Sequence, residues 1–261
     1  MTTPTILYDA YIFDLDGTVY LGDKLLPTAG DTITHLREMG KRTVFLSNNP
    51  TRTREEYAAK LTHLGLPTPN EDVINSSYVM ADFLNKQMPK AKLFVVGEQS
   101  LCDELERAGF TLSDNALEVD AVIASFDRTF EYRKLQIAFD AIYNGARFFA
   151  TNADRYCPVP KGGEPDAASM IAAIEACTEH LVEAVVGKPS HHMADAILGL
   201  LDLPPEACIM IGDRLETDVL MGLNAGMAGT LTLTGATHED VLATSDVQPT
   251  YVISQLADLL P

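Results

Sequence analysis

Nowhere does the sequence stay apolar for the roughly 18 residues a membrane-spanning helix needs, so a membrane protein is not expected. Residues 1–9 have neither the basic nor the apolar segment of a secretory signal, which makes the cytoplasm the expected location. Basic residues are also scarce: 19 Lys and Arg face 37 Asp and Glu, a formal net charge of -18. A polyphosphate backbone would be repelled over most of such a surface, so nucleic acid is excluded as the expected partner. The four cysteines, Cys102, Cys157, Cys177 and Cys208, form no CxxC pair and are read as reduced and mostly structural. There is no internal repeat, low-complexity tract or glycine-serine linker, so a second domain has to be an insertion.

What is present is an alternation of short apolar runs and amphipathic stretches over 261 residues. Residues 11–13, 43–46, 93–96, 121–124, 147–150, 184–186, 208–211 and 230–233 read as strands. Residues 31–39, 54–64, 78–87, 101–108, 132–143, 167–177, 192–200 and 217–224 read as helices. This rhythm predicts an α/β fold with a mainly parallel sheet covered by helices. In such sheets, ligands bind beyond the carboxyl ends of the strands, where Asp14, Ser47 and Asp213 all fall.

Four stretches carry the chemistry. In IFDLDGT, Asp14 and Asp16 sit two apart on an extended chain and share a face, with no lysine or arginine nearby in sequence to pair with them. Two carboxylates so close require a cation or a shared proton, and an early glycine with no downstream bidentate glutamate rules out an EF-hand. In FLSNNPTRTRE, Ser47, Asn48 and Asn49 offer neutral donors before a helix start with capping-box spacing from Thr53 to Glu56, a weak signal for an anion site. In VVGKPSHHM, Lys188 is a point charge at a strand end, beside two histidines without metal-ligand spacing; read alone, a solvated surface lysine is the better explanation of it. In CIMIGDRLETD, Asp213 ends a strand, whereas Glu216 and Asp218 also have a simple reading as acidic residues in a helix's first turn. Three carboxylates for a hard cation, with a hydroxyl and a lysine for an anion, are the equipment of phosphoryl transfer.

The four motifs, in this order, resemble those of the haloacid dehalogenase superfamily. More narrowly, the stretches YIFDLDGTVYLGDKLLP, FLSNNPTRT, ATNADRY, VVGKPS and GDRLETDVLMGLNAGM are similar to the branch of NagD-like and AraL-like sugar phosphatases and p-nitrophenyl phosphatases. The resemblance implies a Rossmann-like doubly wound core, residues 1–80 and 184–261, with an inserted α/β cap at 81–183. It implies a phosphomonoesterase acting on small cytosolic phosphate esters such as sugar phosphates. Asp14 would be the nucleophile that becomes an aspartyl phosphate, and Asp16 the general acid and base. Mg2+ would be held by Asp14, Asp213 and the backbone carbonyl of Asp16, with Asp218 behind them orienting bound water or Lys188. Ser47, the loop at Asn48 and Asn49, and Lys188 would bind the phosphoryl group. The stretch 152–164 would be the recognition loop, with Tyr156, Cys157, Pro158 and Lys161 as candidate specificity residues, although a surface loop rich in Pro and Gly is an equal reading of each. The resemblance also implies a homodimer through the cap. A phosphotransferase is the alternative, and a non-catalytic phosphometabolite-binding regulator is disfavoured by the presence of Asp14, Asp16 and Asp213 together.

Overall fold

The computed structural model describes residues 1–159 and 162–261, and these form two compact units. The first comprises Met1–Ser47, Arg54–Ile74 and Lys188–Pro261; the second comprises Asn48–Thr53 and Asn75–Gly187.

The first unit is organised by the apolar run that ends in Asp14. Ala10, Tyr11, Ile12 and Phe13 are all fully buried, so the strand Ala10–Asp14 reads as a continuous hydrophobic segment, as expected of a parallel strand covered on both faces. It lies inside a six-stranded sheet ordered Tyr251–Ile253, Ala228–Thr232, Cys208–Gly212, Ala10–Asp14, Arg42–Ser47, Val73–Asn75. Its neighbours pair parallel to it, Phe13 lying opposite Ile211 on one side and Phe45 on the other. Tyr11, Phe13, Phe45, Ile209 and Ile211 form one face's core with Ile33 and Leu36 of the helix Ala29–Glu38 and Tyr57 and Leu61 of the helix Arg54–His63. Each such side chain contributes about 2 kcal/mol by leaving water. The chain leaves strand Ala10–Asp14 toward one side of the sheet and returns on the other. That switch in strand order opens a crevice beyond Asp14.

The second unit has its own parallel sheet, ordered Ala184–Val185, Arg147–Ala150, Ala121–Ala124, Lys92–Val96, Thr111–Leu112. Helices Ser76–Gln87, Gln99–Arg107, Tyr132–Tyr143 and Ala167–Thr178 accompany it. Its core gathers Phe94, Val96, Val122, Ala138, Ile142, Phe148, Met170 and Ile174.

Three expectations need adjustment. The run at 184–186 is not a core strand: Ala184 and Val185 pair with Phe149 and Ala150 in the second unit. Residues 75–80 belong to the second unit, because the helix Ser76–Gln87 runs unbroken through position 80 and its Phe83 packs edge-on against Phe149. The stretch 152–164, read as a loop, contains strand Tyr156–Val159, which pairs antiparallel with Gly162–Pro165. Among the described residues no helix is long and apolar enough to cross a membrane, and all four cysteines are free thiols.

Candidate active site

The site lies in the first unit, at the carboxyl ends of three adjacent strands. Asp14 is the last residue of Ala10–Asp14, Ser47 the last of Arg42–Ser47, and Asp213 follows Cys208–Gly212 directly. After Asp14 the chain turns tightly. The amides of Val19 and Tyr20 donate to the Leu15 carbonyl, at 2.9 and 3.2 Å, and the Gly17 amide donates to the Tyr20 carbonyl at 2.8 Å. Gly17 has φ of +86°, and a Cβ there would collide with Asp213 Oδ2, so only glycine combines this turn with such close approach.

Lys188 is buried, its side chain only 3% exposed, and it makes two ion pairs: Nζ lies 2.5 Å from Asp14 Oδ1 and 2.6 Å from Asp218 Oδ1. A buried lysine needs such partners, and this settles the two readings of Lys188 against solvation. The helix that follows, His191–Leu201, is capped by Ser190, whose hydroxyl accepts from the His192 amide. The His191 and His192 rings lie close, centroids 4.0 Å apart and tilted by 40°.

Asp218 is as buried as the core and has more than a helix-dipole role. A π-helical turn over Leu215–Val219 carries it back beneath Gly212, where its Oδ2 accepts from the Arg214 amide at 3.1 Å. Any side chain at Gly212 would occupy the space of the Asp218 carboxyl. Asp14, Asp213 and Asp218 each bring one carboxylate oxygen within 4.8 Å of the others. Three carboxylates thus face one ammonium, an excess of negative charge in a desolvated cleft that fits a hard divalent cation bound through oxygen.

The electrostatics follow from this crowding. Burial pushes the Asp14 carboxyl well above the ordinary range, with Asp218 and Asp213 adding to the push and Lys188 opposing it. Burial and Asp218 raise Asp213 to about 6, while the Ala236 amide, donating to its Oδ2 at 2.6 Å, pulls it down. Burial alone would depress the Lys188 ammonium, but Asp14 and Asp218 outweigh it and hold it above its ordinary value.

The other anticipated residues fall in three places. Ser47 is buried and its Oγ donates to the Tyr57 hydroxyl at 3.2 Å. The Asp16 carboxylate stands outside the three-acid group, is exposed, and accepts from the Tyr20 hydroxyl at 3.3 Å. Asn48 and Asn49 belong to the second unit: Asn48 Nδ2 donates to Asp154 Oδ2 at 2.9 Å, and Asn49 Oδ1 accepts from the Thr51 amide and hydroxyl. Tyr156 is half exposed on the hairpin, with Cys157 and Pro158 beside it; Cys157 Sγ accepts from Asn49 Nδ2. Lys161 lies outside the described residues. The sequence reading missed residues 234–237, which close on the acids: Thr234 Oγ1 donates to the Gly17 carbonyl at 2.6 Å and the Thr237 amide to the Asp213 carbonyl at 3.1 Å. Their signal was positional, since they follow strand Ala228–Thr232 at the same edge of the sheet.

A parallel α/β sheet whose adjacent strand ends carry acids and a serine, with a buried lysine paired to those acids, has the equipment of a phosphoryl-transfer enzyme. Comparison with known proteins agrees. Residues 11–111 match the haloacid dehalogenase-like hydrolase family, and residues 185–259 match a second family of that kind. The chain is 41% identical to sugar-phosphatase AraL of Bacillus subtilis, over 95% of this chain and 90% of that protein. It is 34% identical to the chloroplastic phosphoglycolate phosphatase 1A of Arabidopsis thaliana, over 97% of this chain and 76% of that one. The crystal structure of 4-nitrophenylphosphatase from Thermotoga maritima superposes with a TM-score of 0.93 at 34% identity, covering 97% of this chain and 96% of that one. The chain belongs to the haloacid dehalogenase-like hydrolases, in their NagD-like and AraL-like branch, and is a phosphatase.

Proposed function

We propose that this phosphatase is a Mg2+-dependent phosphomonoesterase of small phosphorylated metabolites, sugar phosphates among them, working through an aspartyl phosphate on Asp14. The observation that carries the reading is the buried Lys188 held between Asp14 and Asp218 at the strand ends, with Asp213 alongside. AraL, a sugar phosphatase by name, supports the substrate class.

Mg2+ fits the oxygen-rich, negatively charged cluster, and Asp14, Asp213 and the Asp16 backbone carbonyl would hold it. Its chemistry when bound is charge neutralisation, at the acids and at the phosphoryl oxygens. The chain's own residues do the rest. Asp14 attacks phosphorus as the P–O bond to the ester oxygen breaks, and that oxygen takes the electron pair together with the proton of the Asp16 carboxyl. The products are an alcohol and phosphorylated Asp14. Asp16, now a carboxylate, removes a proton from water as the water oxygen attacks phosphorus, and the bond to Asp14 breaks to release phosphate. Ser47 and Lys188 bind the phosphoryl oxygens, Lys188 also holding Asp14 Oδ1 in place. The second unit is read as the specificity cap, with Tyr156 on its hairpin, and as the dimerising element. Cytoplasmic residence is part of the same proposal.

Phosphate release by metal-stripped protein tests the reading, using sugar phosphates, phosphoglycolate, nucleotides and p-nitrophenyl phosphate with and without Mg2+. Mg2+-dependent turnover that disappears in Asp14→Asn is expected. Equal turnover without metal, or activity retained in Asp14→Asn, contradicts it.

A further inference from the structure

The tight turn after Asp14 does more than redirect the chain. Residues 16 and 20 form a bridge across it, so the Asp16 and Tyr20 side chains emerge together. Tyr20 is fully buried, and its hydroxyl donates to Asp16 Oδ2 at 3.3 Å. Above its ring stands the Lys60 ammonium, 3.7 Å from the centroid. Lys60 lies one helical turn after Tyr57 on the helix Arg54–His63, so one helix face supports both Tyr57, which holds Ser47, and Lys60, which caps Tyr20.

A carboxylic acid is a useful proton donor only when its proton points at the atom that needs it. A hydroxyl donating to Oδ2 makes that oxygen the acceptor and leaves the proton to Oδ1. This contact restricts both the χ1 rotamer and the carboxyl torsion of Asp16. A cation over the ring face draws on the π-system and makes the phenolic O–H a stronger donor.

We propose that Tyr20, backed by Lys60, is a positioning residue that fixes the Asp16 carboxyl for proton delivery to the leaving group. The proposal rests on Asp16 being the proton donor. In the step it serves, the bond from phosphorus to the ester oxygen breaks, that oxygen keeps the electron pair, and the Oδ1 proton of Asp16 moves to it as Asp14 bonds to phosphorus. Protonation matters in proportion to the basicity of the leaving oxygen, so loss of positioning has a signature that general damage lacks.

The test is kcat/KM, which reports the steps through the first irreversible transfer, for a series of aryl phosphates from p-nitrophenyl to phenyl phosphate. The variants are Tyr20→Phe, Lys60→Met and Asp16→Asn. In Tyr20→Phe, the rate on phenyl phosphate is expected to fall by about tenfold, a fraction of the ~10²–10⁴ that general acid catalysis supplies. The rate on p-nitrophenyl phosphate should stay within about twofold, because its acidic phenol leaves without help. Lys60→Met should fall about threefold with the same bias, and Asp16→Asn should show the bias most strongly. A bias in Asp16→Asn with none in Tyr20→Phe and Lys60→Met overturns the role of Tyr20 while leaving Asp16 as the acid. No bias in Asp16→Asn overturns the acid assignment and the proposal with it. An equal loss on both esters in Tyr20→Phe marks a packing role and also refutes it.

Discussion

Replacing Lys188 by methionine isolates the electrostatic centre of the site. The stem of the side chain is kept, so packing changes little, while the ammonium paired with Asp14 and Asp218 disappears. Lys188 is 3% exposed and its partners Asp14 and Asp218 are 13% and 1% exposed, so neither carboxylate can turn to water for compensation. Removing one partner of a buried pair costs about 3–5 kcal/mol. Against a total stability of roughly 5–15 kcal/mol, that is about a fifth or more of what holds a domain folded. With a urea slope of about 2 kcal/mol/M, the midpoint of the first unit should drop by roughly 2 M in metal-free buffer. The loss should be smaller in Lys188→Met/Asp218→Asn, because the second change removes one of the carboxylates left unpaired. Added Mg2+ should recover part of the loss in the single variant, and phosphatase activity should be absent throughout. Urea titrations followed by circular dichroism, with and without chelator, make the measurement. A metal-free Lys188→Met as stable as the parent would refute the claim that these acids depend on Lys188.

Gly17→Ala should abolish activity and destabilise by about 1–3 kcal/mol, through a left-handed backbone and a Cβ driven onto Asp213 Oδ2; phosphate release and thermal melting check both parts. Glu98→Gln probes the second unit. Hydrogen bonds from Arg128 hold the Glu98 carboxyl below its ordinary value, so its contribution is fully present above the unfolded pKa of about 4.3 and is lost as pH falls through the folded value. Glu98→Gln should therefore cost about 1 kcal/mol near neutrality, as expected for a partly exposed pair, and progressively less below pH ~4. A stability difference that grows on acidification would contradict the sign.

Much of the architecture was legible because apolar runs of four or five residues lie between amphipathic stretches. Residues 121–124, 147–150 and 132–143 appear as elements with the expected ends. Tyr20–Leu21, Lys24–Leu25, Val73–Asn75, Thr111–Leu112 and Tyr251–Ile253 escaped notice because each is two or three residues long, too short to show a period. The hairpin at Tyr156–Val159 was hidden by Pro158 and the Gly162–Gly163 pair, which ordinarily mark loops. Asp14, Ser47 and Asp213 were visible as polar residues ending buried strands. Asp218 was not separable from Glu216, because what buries one and exposes the other is a π-turn with no sequence period. Tyr20 and Tyr57 carry no sequence signal of a site; their hydroxyl partners, Asp16 and Ser47, become apparent only when the turn and the helix Arg54–His63 are in place.

The central claim, that Asp14 carries the phosphoryl group, is tested most directly by chemical trapping. Protein mixed with Mg2+ and p-nitrophenyl phosphate is quenched in acid during turnover, reduced with borohydride and mapped by peptide mass spectrometry. An acyl phosphate on Asp14 would be reduced to homoserine at position 14, and this product should accumulate only with substrate and be missing from Asp14→Asn. Modification at a different residue, or none at position 14 while phosphate is being released, would contradict the account.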